Sequence, residues 1–253
     1  SSYPTSTDQN SFNCADIELN ANAYSDVVKL LNFYREMAGV PNTVTNDASL
    51  NDGCYQAAKY LARSSSGGHD VHENYKTLCS SFGSNWELIK TRLRQSNVVK
   101  GQSDVVNMIS GLITDEGENN AKEVGHRRWF LYPFLETIGV GYYPTSYQPM
   151  NNYRMIYVGS GVYSVSHNNL KLDDFNGVNF VSWPAAGPFP ISMLPTSWSV
   201  TYKKLKLSEV KKENIKVKVT RDDGAELPIS EVTLNQAQND PLSGCVVFQL
   251  TSQ

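Results

Sequence analysis

The spacing of apolar residues changes from a helical period to a strand period near the middle of the chain. From Tyr24 onward, apolar residues recur at steps of three and four, which is typical of amphipathic helices. From Thr137 onward the step is two, which is typical of half-buried strands. Helices grouped before strands favour an α+β class over regularly alternating βαβ units.

The first helical segment runs from Tyr24 to about residue 38. We predict its N-cap at Ser25-Asp26, because short polar side chains there can bond the unpaired amides of a first turn. Gly39 followed by Pro41 is predicted to end the helix, since glycine permits the left-handed turn and proline cannot continue a helix.

A second helix is predicted to begin near Asp47 or Ser49 and to end at the Ser/Gly-rich run 64–68. Further helices are expected at 86–93, at 103–114 and, in a short form, near His126. The connecting segments 69–84 and 115–120 carry no sustained period and are predicted to be irregular.

Strands are predicted in the second half of the chain. Thr137–Tyr143 is interpreted as one strand and Arg154–Tyr163 as its partner. An Arg-Asp-Asp-Gly run at 221–224 is typical of a hairpin turn. Five more strand segments are predicted, at 178–183, 198–202, 215–219, 232–234 and 246–250.

These patterns divide the chain into three parts. Residues 1–23 are polar and turn-rich, and we expect an extended N-terminal arm there. Residues 24–175 combine helices with strands, and residues 176–253 show only strand periodicity. The sequence therefore predicts a mixed helix-strand domain followed by a small antiparallel β domain.

Charge and hydropathy exclude two classes of protein. The net charge is −3 and no basic field dominates, so nucleic-acid binding is not expected. The basic stretch 203–218 also contains Glu209 and Glu213, and we interpret it as solvated strand and loop faces. No apolar run approaches the roughly 20 residues of a transmembrane helix, so no transmembrane segment is expected.

The four cysteines, Cys14, Cys54, Cys79 and Cys245, permit up to two disulfides in three connectivities. No Cys-x-x-Cys pair occurs, which disfavours a structural zinc site of that type. The chain opens without a charged-then-apolar leader, and we expect a mature or trimmed product. An extracellular location is expected, because the composition is rich in Ser, Asn, Tyr and Gly, as many secreted surfaces are.

The four histidines are His69, His72, His126 and His167. His69 and His72 lie in a Gly-Gly-His-Asp-Val-His-Glu run, which is not the His-Glu-x-x-His motif that pairs two zinc ligands on one helical turn. Taken alone, that run is interpreted as a solvated loop. His126 lies in GHRRWFLYP, where two neighbouring arginines favour the neutral, metal-ligating form of the imidazole. The alternative is a helix with packed aromatics and with arginines paired to carboxylates.

The segment LLNFYREMAGVPNTVTNDASLNDGCYQAAKYLA, at 30–62, resembles the opening of the CAP superfamily of cysteine-rich secretory, antigen 5 and pathogenesis-related 1 proteins. GHRRWFLYP followed by IGVGYY resembles the second signature of that superfamily, in which Gly-His opens a helix and a strand carries Gly-Val-Gly. The tail, with VSWPAAGPFP and TSWSV, resembles one found in a bacterial branch. The resemblance implies a three-layer α-β-α sandwich before the β domain.

The resemblance also implies a cleft with two histidines and two acidic residues. His126 matches the second histidine, and His69 matches the first. The first acidic position falls at Ser84, with Glu87 nearby, and the second falls at Asp115 or Glu116. Two neutral imidazoles can hold zinc with water in the remaining positions, while a carboxylate fixes the tautomer of one ring.

The leading hypothesis is a secreted, non-enzymatic module that binds a protein, a lipid or a divalent metal in this cleft, because one fold can host several activities. The first alternative is a zinc-assisted hydrolase with Glu87, Asp115 or Glu116 as base. No serine lies in a Gly-x-Ser-x-Gly elbow. The second alternative is a structural subunit of an extracellular assembly, held by the arm and the β tail.

Overall fold

The structure is a computed structural model. It describes Cys14, Asp16 and the ranges 21–64, 68–102, 104–117, 119–147, 156–166, 177–202, 210–235 and 244–251. For 101–102, 144–147, 156–162 and 164–166 only the backbone is described. The described residues form two compact units. The first lies within 1–31, 44–110 and 136–166, and the second within 32–43, 111–135 and 167–253.

Helices and strands alternate irregularly along the described chain. The α-helices are α1 Ala21–Met37, α2 Ala48–Arg63, α3 Ser80–Ser84, α4 Trp86–Arg94, α5 Asn107–Thr114, α6 Asn120–Glu123 and α7 Gly125–Phe130. The strands are β1 Thr45–Asn46, β2 Ser96–Gln102, β3 Thr137–Tyr147, β4 Ile156–Ser166, β5 Phe180–Trp183, β6 Ser197–Tyr202, β7 Val219–Thr220, β8 Glu226–Leu227, β9 Ile229–Asn235 and β10 Cys245–Leu250.

The first unit is built on a four-stranded sheet in the order β1-β3-β4-β2. β1 runs parallel to β3, whereas β3 and β4 form a long antiparallel pair, with Thr137 opposite Ser166. This confirms the predicted pairing of the two central strands. The edge strand β2 was not predicted from the sequence; it pairs antiparallel with β4.

Helix α2 covers one face of this sheet. The predicted start near Asp47 or Ser49 is confirmed, and the N-cap is Asp47, whose carboxylate accepts the Ser49 amide N–H at 2.9 Å. The helix ends at Arg63, where the predicted serine break begins. Buried side chains from α2, α3, α4 and β3 form the core of this unit: Cys54, Ala57, Ala58, Tyr60, Leu61, Cys79, Phe82, Trp86, Ile89, Leu93 and Tyr143.

The predicted N-cap of the first helix is wrong. Helix α1 already begins at Ala21, so Ser25 and Asp26 lie inside it. The Asp26 carboxylate accepts a hydrogen bond from Lys29 Nζ at 3.2 Å, one turn further along, instead of capping. The predicted end is confirmed, because Gly39 adopts a left-handed φ of +69° two residues past Met37.

One disulfide is present, between Cys14 and Cys79, with Cα atoms 5.5 Å apart. The other two cysteines, Cys54 and Cys245, are buried and not disulfide-bonded, so the second permitted bridge does not form. Near the bridge, Asp16 pairs with the buried Lys59 at 2.9 Å. The rest of the predicted arm before Ala21 lies outside the described residues.

The second unit contains an antiparallel sheet in the order β5-β6-β10-β9. The hairpin of β7 and β8 turns through Gly224, whose φ of +83° requires glycine, as the predicted turn indicated. The predicted strand 215–219 is wrong except at its last residue. The side chains alternate in exposure over 215–218, but within the described ranges no strand pairs with these residues.

The segment 119–124 joins the second sheet through its short helix. Val124 packs with Cys245 and Val247 of β10. Asn235 at the end of β9 donates its side-chain N–H groups to the carbonyls of Lys122 and Glu123, at 3.2 and 3.1 Å. The second unit therefore combines residues on both sides of the predicted domain boundary at 175, and that boundary stays a prediction.

Helices together with mostly antiparallel sheets confirm the predicted α+β class. Within the described ranges, every helix is too short or too polar to cross a lipid bilayer.

Candidate functional site

His126 is the second residue of α7, in the second unit. The turn that precedes the helix is made by Val124, whose φ of 46° is left-handed. The Val124 carbonyl accepts the Arg128 amide at 3.0 Å, which closes the first turn of the helix. The predicted short helix near His126 is confirmed, and its tight entry fixes the direction of the imidazole.

The His126 ring is oriented by a buried carboxylate. His126 Nδ1 lies 2.7 Å from Asp115 Oδ1, and the Asp115 side chain has no exposed surface. Asp115 Oδ2 accepts the backbone N–H of Arg127 at 3.2 Å. A carboxylate oxygen accepts this hydrogen bond, so Nδ1 is the donor, and in the neutral ring the lone pair is on Nε2.

Backbone strain accompanies this pair. Asp115 has a φ of 53° and Val124 a φ of 46°, so two residues other than glycine adopt left-handed conformations within ten positions. A β-branched residue such as valine rarely adopts this conformation, and each instance costs about 1–3 kcal/mol. Hydrogen bonds from the Asp115 amide to Gly111 O and from the Val124 amide to Asn120 O hold both turns, at 2.9 and 2.7 Å.

Arg127, next to His126 in α7, has a buried side chain that bonds to residues of α5 and β6. Its guanidinium donates to the carbonyls of Ile113, Thr114 and Ser197, at 2.6, 2.6 and 2.9 Å, and to Ser199 Oγ at 3.0 Å. The alternative in which the arginines pair with carboxylates is therefore wrong for this guanidinium. Burial lowers the pKa of Arg127 to about 10, and the nearby Asp115 opposes that shift.

His69 belongs to the first unit and lies in the loop after α2. Its ring is exposed, and Nδ1 lies 2.6 Å from the carbonyl oxygen of Leu93 at the end of α4. A carbonyl only accepts, so Nδ1 is the protonated nitrogen here as well. His72, three residues on, is exposed, and its backbone N–H donates to the Tyr60 hydroxyl at 2.9 Å.

The acidic candidates divide into one structured and two solvated residues. Asp115 is the carboxylate that orients His126. Glu87 has a side chain that is 81% exposed and pairs with Lys90 on the same helix at 2.6 Å. Glu116 is exposed. The sequence offered Asp115 and Glu116 as equal candidates for the second acidic position. A polar loop has no periodicity that distinguishes two neighbouring residues.

Two contacts of the site residues were not predicted from the sequence. One is the bond from His69 to the Leu93 carbonyl, and the other is the bonding of Arg127 to β6. The only sequence signal for the contact of His69 with Leu93 was that a predicted helix ends at residue 93. The second joins residues 70 positions apart, and no local pattern specifies it.

The hydrogen bonds of His126 and His69 resemble those of histidines that ligate zinc. Each imidazole fits, because a ligating histidine usually donates its other N–H to a carboxylate or a carbonyl. Among the described residues, however, no group of three His, Cys, Asp or Glu side chains is placed to share a metal ion. A single imidazole with water as the other ligands would make an open zinc site, unlike a closed structural one with four protein ligands.

A model of the cysteine-rich secretory protein family, CAP, matches residues 28–163 of the chain. The chain belongs to this family. A search of curated proteins finds no match. Because the family match ends at residue 163, the predicted relation of the tail to a bacterial branch stays a prediction.

Proposed function

We propose that this CAP-domain protein is a non-enzymatic binding module that offers the imidazole nitrogen of His126, and separately that of His69, to a ligand. The supporting observation is the bond between His126 Nδ1 and the fully buried Asp115 at 2.7 Å. It fixes the ring and its tautomer before a ligand arrives. Preorganisation of this kind lowers the entropic cost of binding.

Both histidines would present the same chemistry. In each, a hydrogen bond at Nδ1 leaves the lone pair on Nε2, which suits a divalent metal or a donor group on a partner. When bound, zinc would supply a point of attachment for an oxygen ligand, with water completing its coordination. His126 would hold such an ion through Nε2, with Asp115 keeping the ring in position. His69 could hold an ion in the same way, with the Leu93 carbonyl in the supporting role.

The surroundings of the candidate general bases support the zinc-assisted hydrolase less well than the binding module. Both carboxylate oxygens of Asp115 already accept hydrogen bonds, from His126 Nδ1 and from the Arg127 amide. Glu87 is exposed and paired with Lys90, so its environment resembles that of an ordinary surface carboxylate. A general base has to reach the proton it abstracts, and Asp115 is committed to orienting a ring instead.

The proposal is tested by calorimetric titration of zinc into the wild-type protein and three histidine variants. His126→Ala and His69→Ala are each expected to weaken zinc binding at least tenfold. The matched control is His72→Ala, which removes an exposed imidazole three residues from His69 and should leave the affinity unchanged. Equal zinc binding by all four proteins would overturn the proposal.

Two further measurements separate the alternatives. Hydrolysis of an activated ester that requires zinc and is absent in His126→Ala would favour the zinc-assisted hydrolase over the binding module. Stable, high-order self-association of the isolated chain in sedimentation experiments, unaffected by either histidine, would favour the structural subunit.

The proposed location is extracellular, where a protein segment or a lipid would be the natural ligand. The disulfide between Cys14 and Cys79 supports this location, because cytosolic thiol buffers keep most cysteines reduced.

A further inference from the structure

Strand β9 forms one edge of the sheet of the second unit. It pairs with β10 on one side, and within the described ranges no strand pairs with its other side. The strand is 7 residues long, and its sequence ISEVTLN contains neither proline nor lysine, two residues that commonly protect a sheet edge. The opposite edge, β5, has only 4 residues and is followed directly by Pro184, which has no N–H to donate.

The unpaired backbone groups of β9 belong to Val232 and Leu234. The Tyr202 amide of β6 donates to the Gly244 carbonyl at 3.2 Å. Because the C=O and N–H of one trans peptide point in opposite directions, the Cys245 N–H faces β9, and so does every second residue after it. The β9 residues opposite these are bonded inward: Glu231, Thr233 and Asn235. Val232 and Leu234 therefore direct their groups outward, where the described residues supply no partner.

The side chains at this edge are half-buried on both faces of the sheet throughout 231–235. Val232 and Leu234 lie opposite Phe248 and Val246 of β10, each of which is 8% exposed. The edge thus combines unpaired backbone groups with apolar side chains whose outer parts meet solvent. A strand laid beside β9 would bond the first and cover the second.

This edge is complementary to itself when two copies run antiparallel about Thr233. Val232 of one copy then lies opposite Leu234 of the other, and both have outward backbone groups. Thr233 faces its own counterpart, and Glu231 faces the neutral Asn235. A register centred on Glu231 would bring two carboxylates together, and one centred on Val232 would place Leu234 opposite a serine. The register about Thr233 avoids both mismatches.

We propose that β9 joins a second copy of the chain edge to edge, in a two-fold dimer whose β sheet is continuous across both molecules. Each Val232 would exchange two backbone hydrogen bonds with the Leu234 opposite it. The contact is small, so the dimer should be weak and reversible. A two-fold pair uses both β9 edges and stops at two copies, unlike the high-order self-association that would favour a structural subunit.

Sedimentation velocity of the whole chain, from micromolar to millimolar concentration, is the first test. We expect a reversible equilibrium between monomer and dimer. Leu234→Lys places a charge at the apolar contact and should weaken the dimer at least tenfold. Its matched control is Ser182→Lys, which lies in the same row of side chains at the opposite edge of the sheet and should leave the dimer unchanged.

Crosslinking tests the register. Thr233→Cys puts two thiols opposite each other at the two-fold axis, where paired Cα atoms lie about 4.5 Å apart, within the range of a disulfide. Glu231→Cys is the control, because its two copies would be about 14 Å apart along the strands. After mild oxidation, non-reducing gel electrophoresis should show a covalent dimer for Thr233→Cys alone. This comparison remains decisive if Leu234→Lys loses the wild-type circular dichroism spectrum.

Three results would overturn the inference. The wild-type chain could remain monomeric up to millimolar concentration. Leu234→Lys and Ser182→Lys could dimerise equally well, or Glu231→Cys could crosslink as readily as Thr233→Cys. The zinc titrations of His126 do not depend on this edge, so each of these results leaves the proposed function standing.

Discussion

Gly141 of strand β3 lies directly against the backbone of Cys54 in helix α2. A Cβ atom built on Gly141 would be 2.0 Å from the Cys54 carbonyl carbon and 2.1 Å from its oxygen. Two residues earlier on the same face, a Cβ on Gly139 would be 2.4 Å from Leu50 Cβ. The Gly-Val-Gly of the strand is therefore the surface on which α2 packs, and only glycine permits this approach.

Gly141→Ala is expected to destabilise the protein strongly. The added methyl group collides with backbone atoms of α2, which cannot rotate away as a flexible side chain could. Moving the helix would disturb the whole buried face of α2, so we expect a loss of about 3 kcal/mol or more in the free energy of unfolding. Urea denaturation followed by far-UV circular dichroism measures it.

The matched control is Gly83→Ala in helix α3, where no atom lies within 4 Å of the added Cβ. That change should be neutral or stabilise by up to about 1 kcal/mol, because alanine is the better helix former. A Gly141→Ala protein with the wild-type urea midpoint would show that α2 and β3 do not approach as closely as described.

Much of the secondary structure of the first unit could be predicted from local sequence patterns. The start of helix α2 was predicted near Asp47 or Ser49, and the Asp47 carboxylate caps it through the Ser49 amide. The pair β3–β4 was predicted because apolar residues recur there with a period of two. Strand β2 was missed, since Ser96 and Asn97 are the buried residues and Val98 and Val99 are only half-buried. Its pairing partner lies about sixty positions away.

The candidate site was predictable in its residues but not in its contacts. GHRRW identified His126 through a resemblance, yet Asp115 became its partner only through two left-handed turns that no periodicity indicates. Arg127 was predicted to pair with a carboxylate, in the alternative in which GHRRWFLYP is a packed helix. It is 1% exposed, and carbonyls from α5 and β6 converge on it instead. Burial of a charge depends on tertiary acceptors, which a sequence pattern does not encode.

Asp115→Asn is expected to release the tautomer of His126. An amide can either accept from Nδ1–H or donate to a bare Nδ1, so the preference set by the carboxylate disappears. Long-range ¹H–¹⁵N NMR of the imidazole should show a single Nδ1–H tautomer in the wild type and a mixture in the variant. By the proposed function, zinc affinity should also fall about 10–100-fold, as for other supporting residues of metal ligands.

Glu116→Gln is the control for that change, because it neutralises an exposed carboxylate next to Asp115. It should leave both the tautomer and the zinc affinity as in the wild type. If Glu116→Gln and Asp115→Asn behaved alike, a general effect of negative charge would explain the data better than a specific bond to His126.

Arg127→Lys is expected to destabilise the second unit although charge is conserved. The guanidinium reaches three carbonyls and the Ser199 hydroxyl at once, and one ammonium group cannot span that set. Leaving buried carbonyls unpaired should cost about 3 kcal/mol in the free energy of unfolding. Arg94→Lys, at an exposed position in α4, should change it by less than about 0.5 kcal/mol. A smaller loss for Arg127→Lys than for Arg94→Lys would contradict the described geometry.

Stability should fall at alkaline pH in a way that depends on Tyr142. Burial, with Asp104 adding to it, raises the pKa of Tyr142 from 10.0 to about 12. Below pH 10 the phenol is protonated in both the folded and the unfolded chain, so its contribution is fully present. Between pH 10 and 12 the unfolded chain loses this proton while the folded one retains it, and stability is lost by up to about 1.4 kcal/mol per pH unit.

Tyr142→Phe removes the titrating group and keeps the ring, so the free energy of unfolding should decline less steeply from pH 10 to 12 than in the wild type. The difference between the two proteins should be constant below pH 9, where the phenol does not titrate in either state, and this range is the internal control. Chemical denaturation at half-unit pH steps gives both slopes. Parallel curves up to pH 12 would mean that the Tyr142 hydroxyl is as accessible to solvent in the folded protein as in the unfolded chain, contrary to its 4% exposure.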